Sequence, residues 1–306
     1  MAKSVSLILG SGGARGLAHI GVIRELEARD IRIGSVVGCS IGALIGGAYC
    51  AGKLDVIENW VVDLSEWDVF RFMDLSLDFR NGFVKGDLIM DKLRALLGDR
   101  QIEDLAVPFT AVATDVVAKK EVWLRKGDLF EAMGASMAIP GVFTPKVLGG
   151  RTLVDGGLLN PLPNAPATAD DTDLIVAVNL NGRDVVSPLG PQSVEEADKP
   201  PAQHRGAIEN FLTQARDVLG ITDPIFDEKE PKKIPEQLTL TGVMLSTFDT
   251  MQACIGRYRL ASYPPDILID IPSNICENHD FHKAASLIEA GRFWAKEALE
   301  NQELEL

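Results

Sequence analysis

The stretch Ser35-Val36-Val37-Gly38-Cys39-Ser40-Ile41-Gly42-Ala43-Leu44-Ile45 decides the fold. Its first five residues read as a buried strand, and Ile41–Ala51 continues as an apolar run with helical spacing. Between them stands a serine with Gly38 two residues before it and Gly42 two after. Glycines at those positions let strand and helix approach closely and hold Ser40 on a sharp turn with its hydroxyl exposed. The helix N-terminus beneath it favours a developing alkoxide. A plainer reading stays open, in which Ser40 only caps its helix.

Upstream lies a second strand-to-helix turn, Gly10-Ser11-Gly12-Gly13-Ala14-Arg15-Gly16, directly after the apolar run Val5–Leu9. Backbone N–H groups exposed at such a turn bind a phosphate or a developing oxyanion. A P-loop would need Lys and Ser/Thr at its end, where Arg15-Gly16-Leu17 stands. A dinucleotide site would want an acidic residue at the end of the next strand, yet that strand ends in Gly38-Cys39-Ser40. Both nucleotide readings weaken.

Downstream, β-branched runs alternate with helical patterns. Strands are expected at Val5–Leu9, Ser35–Cys39, Phe109–Thr114, Arg151–Val154 and Leu174–Leu180. Helices are expected near Gly16–Arg29, Ile41–Ala51, Asp55–Leu64, Asp87–Leu97 and Leu129–Met137. This alternation is how βαβ units appear in sequence, and it predicts a layered α/β fold with a mostly parallel sheet. Val116-Val117 and Glu121–Leu124, flanking Lys119-Lys120, predict an antiparallel hairpin, so the sheet is expected to be mixed. One domain is expected over residues 1–306. Its core spans about 5–181, a proline-punctuated insertion about 182–237, and a helix-strand-helix part about 238–306. Within the insertion Ile208, Phe211, Leu212, Ala215 and Leu219 fall at helical spacing.

The 306 residues carry a formal charge of −14, which argues against a nucleic-acid partner and against anionic surfaces. Residues 1–181 hold 18 basic and 23 acidic residues, and residues 182–306 hold 12 and 21, so the acidity concentrates away from the glycine-rich turns. Cys39, Cys50, Cys254 and Cys276 form no CxxC pair or dense framework, which fits a reduced cytosol. The start resembles no signal peptide, and no apolar run reaches the ~20 residues that span a bilayer.

A serine nucleophile needs a base. His19 shares a helix face with Val22, Ile23 and Leu26 and reads as a packed, core-side residue; His204 lies in the insertion. The Cys276, His279, His282 spacing matches no standard structural zinc pattern, so no metal and no cofactor are expected. The better candidate is Asp155, at a strand end before Gly156 and Gly157, where sites of layered α/β folds gather. It can also be read as an ordinary Asp-Gly turn.

Four ordered elements resemble the patatin-like phospholipase family, particularly its compact bacterial members related to the esterase domain of neuropathy target esterase. They are Gly10–Gly16 followed by Leu17–Val22; Gly38–Gly42; Ala135-Ser136-Met137-Ala138-Ile139-Pro140-Gly141-Val142-Phe143; and Asp155-Gly156-Gly157 followed by Asn160-Pro161-Leu162-Pro163. The resemblance covers roughly residues 5–181, and Met251–Ile271 with the closing helix more loosely. It implies a three-layer α/β/α fold and a Ser–Asp dyad hydrolase, with Ser40 as nucleophile and Asp155 as base. The backbone of Gly12, Gly13, Ala14 and Arg15 would form an oxyanion hole. The family loop often has three consecutive glycines, and here Ser11 takes the first of those positions.

The implied substrate is a lipid acyl ester, met without integral membrane association and at most through transient lipid-surface contact. Alternatives are an acyltransferase on a related fold and a non-catalytic acyl- or nucleotide-binding regulator. Trp60, Trp67, Phe70, Phe72, Phe79 and Phe83 crowd one segment, which reads equally as an acyl-chain lid or as a satellite core beneath a loop. Oligomeric state is not legible.

Overall fold

The computed structural model describes residues 3–72, 87–140, 142–190 and 240–301. β1 (Ser4–Leu9) is buried along its whole length, which marks a central strand covered on both faces. α1 (Ala18–Ala28) leads to β2 (Arg32–Cys39), and α2 (Ile41–Cys50) follows after one residue, Ser40. Next come α3 (Leu54–Val62), α4 (Glu66–Phe72) and α5 (Asp87–Leu97). The chain re-enters the sheet with β3 (Phe109–Asp115) and β4 (Lys120–Leu124), then α6 (Leu129–Ser136), β5 (Lys146–Leu148) and β6 (Arg151–Asp155). It closes with α7 (Asn164–Ala167), β7 (Leu174–Gly182), α8 (Leu240–Ser262), β8 (Ile267–Pro272) and α9 (Ala284–Asn301).

The sheet order is β5-β6-β3-β2-β1-β7-β8, with β4 also on β3. β1, β2, β3, β7 and β8 pair in parallel, while β4, β5 and β6 run antiparallel to their neighbours. The sheet is therefore mixed and mostly parallel.

The period-two alternation of strands sorts the core into two layers. Leu7, Leu9, Val36, Ala111, Val176 and Val178 join the large cluster shared with α1, α2, α3, α5, α6 and α9. Their neighbours Ile8, Val37, Val112 and Ala177 point the other way, onto Leu162, Ala167 of α7 and Leu260 of α8. The result is a three-layer α/β/α sandwich with one thick and one thin cover.

Three details of the sheet depart from the sequence reading, and among the helices α4 is unexpected and α1 begins at Ala18 after a 3₁₀ turn. β2 begins at Arg32, because Arg32 and Ile33 already pair with Ser4 and Val5. Val116 and Val117 lie in the turn of the hairpin rather than in its strand. Asp115 accepts hydrogen bonds from the Val117 and Ala118 amides at 3.0 and 2.9 Å, and this side-chain turn ends β3. The edge strand β5 has three residues and no alternating pattern to announce it. The helix expected around Ile208–Leu219, and the insertion beyond residue 190, lie outside the described residues. Among the described residues no helix is long and apolar enough to cross a membrane.

α1 and α9 cross at backbone contact. A Cβ on Gly21 would lie 1.9 Å from the Ile288 carbonyl oxygen, and one on Gly291 would lie 2.0 Å from that of Ala18. Neither neighbour is a flexible side-chain tip, so the helices must part to admit a methyl group. Gly291→Ala is expected to cost about 1–3 kcal/mol, read as a lowered urea midpoint with an unchanged slope; an unchanged midpoint would show that the crossing is loose.

Candidate active site

Ser40 and Asp155 are brought together by strand register. β4 pairs with β3 over Ala111–Asp115 and so occupies one edge of that strand. β2 and β6 must share the other edge. β2 pairs up to Cys39–Val112, and β6, running oppositely, begins its pairing with Asp155 opposite Ala113. The two strand ends therefore meet head to head on consecutive residues of β3. Ser40 and Asp155 stand where they meet.

Ser40 is 5% exposed and has φ 56° and ψ −124°, a left-handed conformation unusual for a residue with a side chain. Close approach holds it there: a Cβ on Gly42 would sit 2.1 Å from the Leu9 carbonyl oxygen, and one on Gly38 would sit 2.4 Å from that of Gly42. The Ser40 side chain makes no capping bond to α2, so the simple helix-cap reading falls.

The turn after α6 fixes both candidate residues. Ser136, fully buried, accepts the Ser40 N–H at 2.9 Å and donates to the Val112 carbonyl at 2.6 Å. Two residues on, the Ala138 carbonyl accepts the Asp155 N–H at 2.9 Å. The motif Ala135–Phe143 thus gains a physical role that its sequence alone does not reveal.

Asp155 is fully buried. Its Oδ1 accepts the Gly157 N–H at 2.7 Å, whereas Oδ2 has no hydrogen bond of ordinary geometry. Burial pushes the carboxyl up to about 7; the Ser40 hydroxyl and the Gly157 amide pull it down by smaller amounts. A Cβ on Gly156 would lie 2.1 Å from the Val112 carbonyl oxygen, so the chain turns tightly after the acid.

The loop Gly10–Gly16 runs beside this pair. The Gly10 N–H donates to Val178 O at 3.1 Å and the Ser11 N–H to Pro161 O at 2.8 Å. The Ala14 N–H donates to Asn278 O at 3.0 Å, so of the four residues expected around an oxyanion Ala14 is already engaged. Gly12 and Gly13, at the start of a 3₁₀ turn, have amides without a hydrogen-bond partner among the described residues. Arg15 is buried and braces the loop with its guanidinium. Nε donates to Gly12 O at 3.1 Å, one terminal nitrogen to Ser273 O at 3.3 Å and the other to Asn278 Oδ1 at 3.0 Å.

His19 is sealed in the core. Its Nε2 donates to the Gly10 carbonyl at 2.9 Å, Nδ1 has no partner among the described residues, and burial lowers its pKa to about 4. It steadies the loop as a neutral imidazole. His282 Nε2 lies 3.4 Å from Glu66 on α4, and His279 is exposed. Among the described residues no three His, Cys, Asp or Glu side chains gather as metal ligands. Trp60 packs on the main core and Trp67 is 61% exposed. Phe79 and Phe83 lie outside the described residues, as do the side chains of Phe70 and Phe72.

Gln252 was missed by sequence reading. It sits on α8, 2% exposed, and its Oε1 accepts the Ser11 hydroxyl at 3.0 Å. One glutamine in a long helix of mixed pattern carries no signal of its own.

Fold and site together define a class: a three-layer α/β protein that holds a serine on a strand–helix elbow against a buried carboxylate. The family described as patatin-like phospholipase matches residues 7–168, and the chain belongs to it. An uncharacterized NTE family protein of Mycobacterium tuberculosis is 36% identical, covering 98% of this chain and 92% of its own. Patatin-like phospholipase domain-containing protein 7 of Rattus norvegicus is 30% identical over 60% of this chain and 14% of its own. Neuropathy target esterase sws of Drosophila melanogaster is 30% identical over 60% and 13%. Among solved structures, VipD from Legionella pneumophila superposes with a TM-score of 0.55 at 14% identity, covering 98% of this chain and 67% of that one; it shows the shared fold.

The raised carboxyl links stability to pH. Between its ordinary value of 3.8 and about 7 Asp155 holds its proton in the folded state and loses it in the unfolded one. Its contribution to stability therefore falls as pH rises through that window. Asp155→Asn removes the buried charge. The variant is expected to be more stable than the parent at pH 8, by roughly 1.4 kcal/mol for each pH unit of the window, and to lose that advantage at pH 4. Urea titrations at the two pH values check this; a variant less stable at pH 8 would contradict it.

Proposed function

We propose that this protein is a serine carboxylic-ester hydrolase that acts on lipid acyl esters through Ser40 and Asp155. The observation that carries the reading is the pairing of a strained, nearly buried Ser40 with a carboxylate whose Oδ2 has no ordinary hydrogen bond and whose pKa is raised to about 7. An ordinary Asp is a feeble base toward a hydroxyl, and burial brings its pKa to the operating range. The family supplies the substrate class: relatives named as phospholipase and esterase favour carboxylic esters of lipids.

In this reading Ser40 Oγ attacks the ester carbonyl while Asp155 Oδ2 takes the hydroxyl proton. The Gly12 and Gly13 N–H groups receive the oxyanion of the tetrahedral intermediate. Collapse expels the alkoxide, which recovers the proton from Asp155 and leaves Ser40 acylated. Water, deprotonated by the same carboxylate, then frees the acid and restores the serine. Both oxyanion donors belong to the backbone, so Ser11 in place of a glycine leaves them intact. The four cysteines are free thiols, which supports a reducing, cytoplasmic setting.

On one soluble ester Ser40→Ala and Asp155→Asn are each expected to lower kcat at least about a thousandfold, and His19→Gln far less. Near-full turnover by Asp155→Asn with loss in His19→Gln would overturn the dyad. Stoichiometric fluorophosphonate labelling of Ser40 separates the hydrolase from an inert binder.

kcat/KM for the parent is expected to rise with pH through a midpoint near 7, where Asp155 of the free protein ionises. A flat profile between pH 5 and 9 would count against Asp155 as the base.

A further inference from the structure

Gln252 stands beside the dyad with half of its amide committed. Oε1 takes the Ser11 hydroxyl at 3.0 Å. Nε2 makes no hydrogen bond among the described residues, and it is not sealed from solvent although the residue is 98% buried. Its place is defined by Gly157. A Cβ there would lie 2.4 Å from Gln252 Nε2, 2.8 Å from Ser11 Oγ and 3.0 Å from Asp155 Oδ1. A donor, a hydroxyl and the candidate base therefore crowd around one position that carries no side chain.

Nε2 is thus a donor on an otherwise buried side chain, next to the reacting groups, where a substrate oxygen can take the place of water. In this structure the Ser11 bond is made to the oxygen end of the amide. A hydroxyl donating to Oε1 turns Nε2 inward, whereas glycine at position 11 would leave the amide free to flip. The serine that interrupts the run of glycines is thereby given work.

We propose that Gln252, oriented by Ser11, is a specificity residue that donates a hydrogen bond to an oxygen on the alcohol portion of the ester. The proposal rests on the hydrolase reading above. The acyl chain offers no acceptor, and the ester carbonyl oxygen is directed at the Gly12 and Gly13 amides. Oxygens of the alcohol portion remain. That portion leaves from the side of Asp155, which returns the proton to it, and Gln252 adjoins that carboxylate. The fitting substrate is an acyl ester of a polyol, with an acceptor oxygen near the ester linkage, rather than an ester of a simple alkanol. A glycerol hydroxyl and a phosphodiester oxygen both satisfy this chemistry.

The test compares three substrates of one acyl chain: a 1-monoacylglycerol, with hydroxyls only; the corresponding lysophosphatidylcholine, which adds phosphate; and the methyl ester, with neither. The parent is expected to prefer the first or second over the third in kcat/KM. Whichever is preferred identifies the acceptor. Gln252→Leu is expected to reduce that preference about tenfold, mainly through KM, and Ser11→Gly to reduce it by a smaller factor, because Nε2 remains but is no longer oriented. Ser40-dependent turnover with an unchanged ratio in Gln252→Leu overturns this proposal alone. If that variant fails to fold, an unchanged ratio in Ser11→Gly overturns it. No Ser40-dependent turnover of any of the three by the parent overturns the hydrolase reading and this proposal with it.

Discussion

Everything at the site depends on one edge of β3. Two strands running in opposite directions end on consecutive residues of that edge, and their ends carry Ser40 and Asp155. The spacing of the pair is thus a property of backbone ladders, which are stiffer than any rotamer. A slip of one residue in β6 would turn Asp155 to the opposite face of the sheet, because strand side chains alternate. The turn after α6 protects the arrangement. It holds the Ser40 amide with a side-chain hydroxyl and the Asp155 amide with a carbonyl, two residues apart. One short segment therefore fixes both members against each other, and the strained φ of Ser40 persists because these bonds and the glycine contacts around it leave no alternative.

The same geometry explains the raised pKa of Asp155. A carboxylate that accepts two or three good hydrogen bonds is a poor base, since each bond favours its charged form. Here Gly157 supplies one, at Oδ1, and burial outweighs the lowering by that amide and by the Ser40 hydroxyl. The protein leaves the acid under-solvated, at a cost in stability, and in the proposed mechanism this makes it a proton acceptor tuned near neutrality. Such conflicts between local comfort and chemistry are concentrated at functional sites. His19 gives the contrast. It is equally buried, but its ring is held neutral against a carbonyl and its pKa is lowered to about 4, so the same desolvation that raises the aspartate lowers the histidine.

Much of this was legible in the sequence, for reasons that are local. The elbow at Ser40, the apolar run of β1 and the 3.6-residue periodicity of α1 and α2 each follow from nearest neighbours along the chain. Asp155 was legible as a strand-end acid and as the candidate base for Ser40, but the way the two are held together was not, because the meeting of β2 and β6 depends on β4 having taken the other edge of β3. The expected hairpin arm at Val116-Val117 is turn instead: β-branched residues favour a strand, and the Asp115 side chain overrides them by capping the turn. Gln252 was invisible for a different reason. Its role is set by a contact across 241 residues of sequence, and neither residue type is unusual where it stands.

The loop from Gly10 to Gly16 holds the donors proposed for the oxyanion. Preorganised donors are effective because they need not reorient when charge develops. The loop is held at five points: His19 on the Gly10 carbonyl, Pro161 on the Ser11 amide, Gln252 on the Ser11 hydroxyl, Asn278 on the Ala14 amide, and Arg15 on the Gly12 carbonyl. These ties come from four different parts of the chain, so no single element can shift the loop alone. What they leave unengaged is the pair of amides at Gly12 and Gly13. Tying these neighbouring groups leaves the two N–H groups for the proposed oxyanion, and it makes the loop's rigidity a consequence of the same hydrogen bonds that set its donors apart.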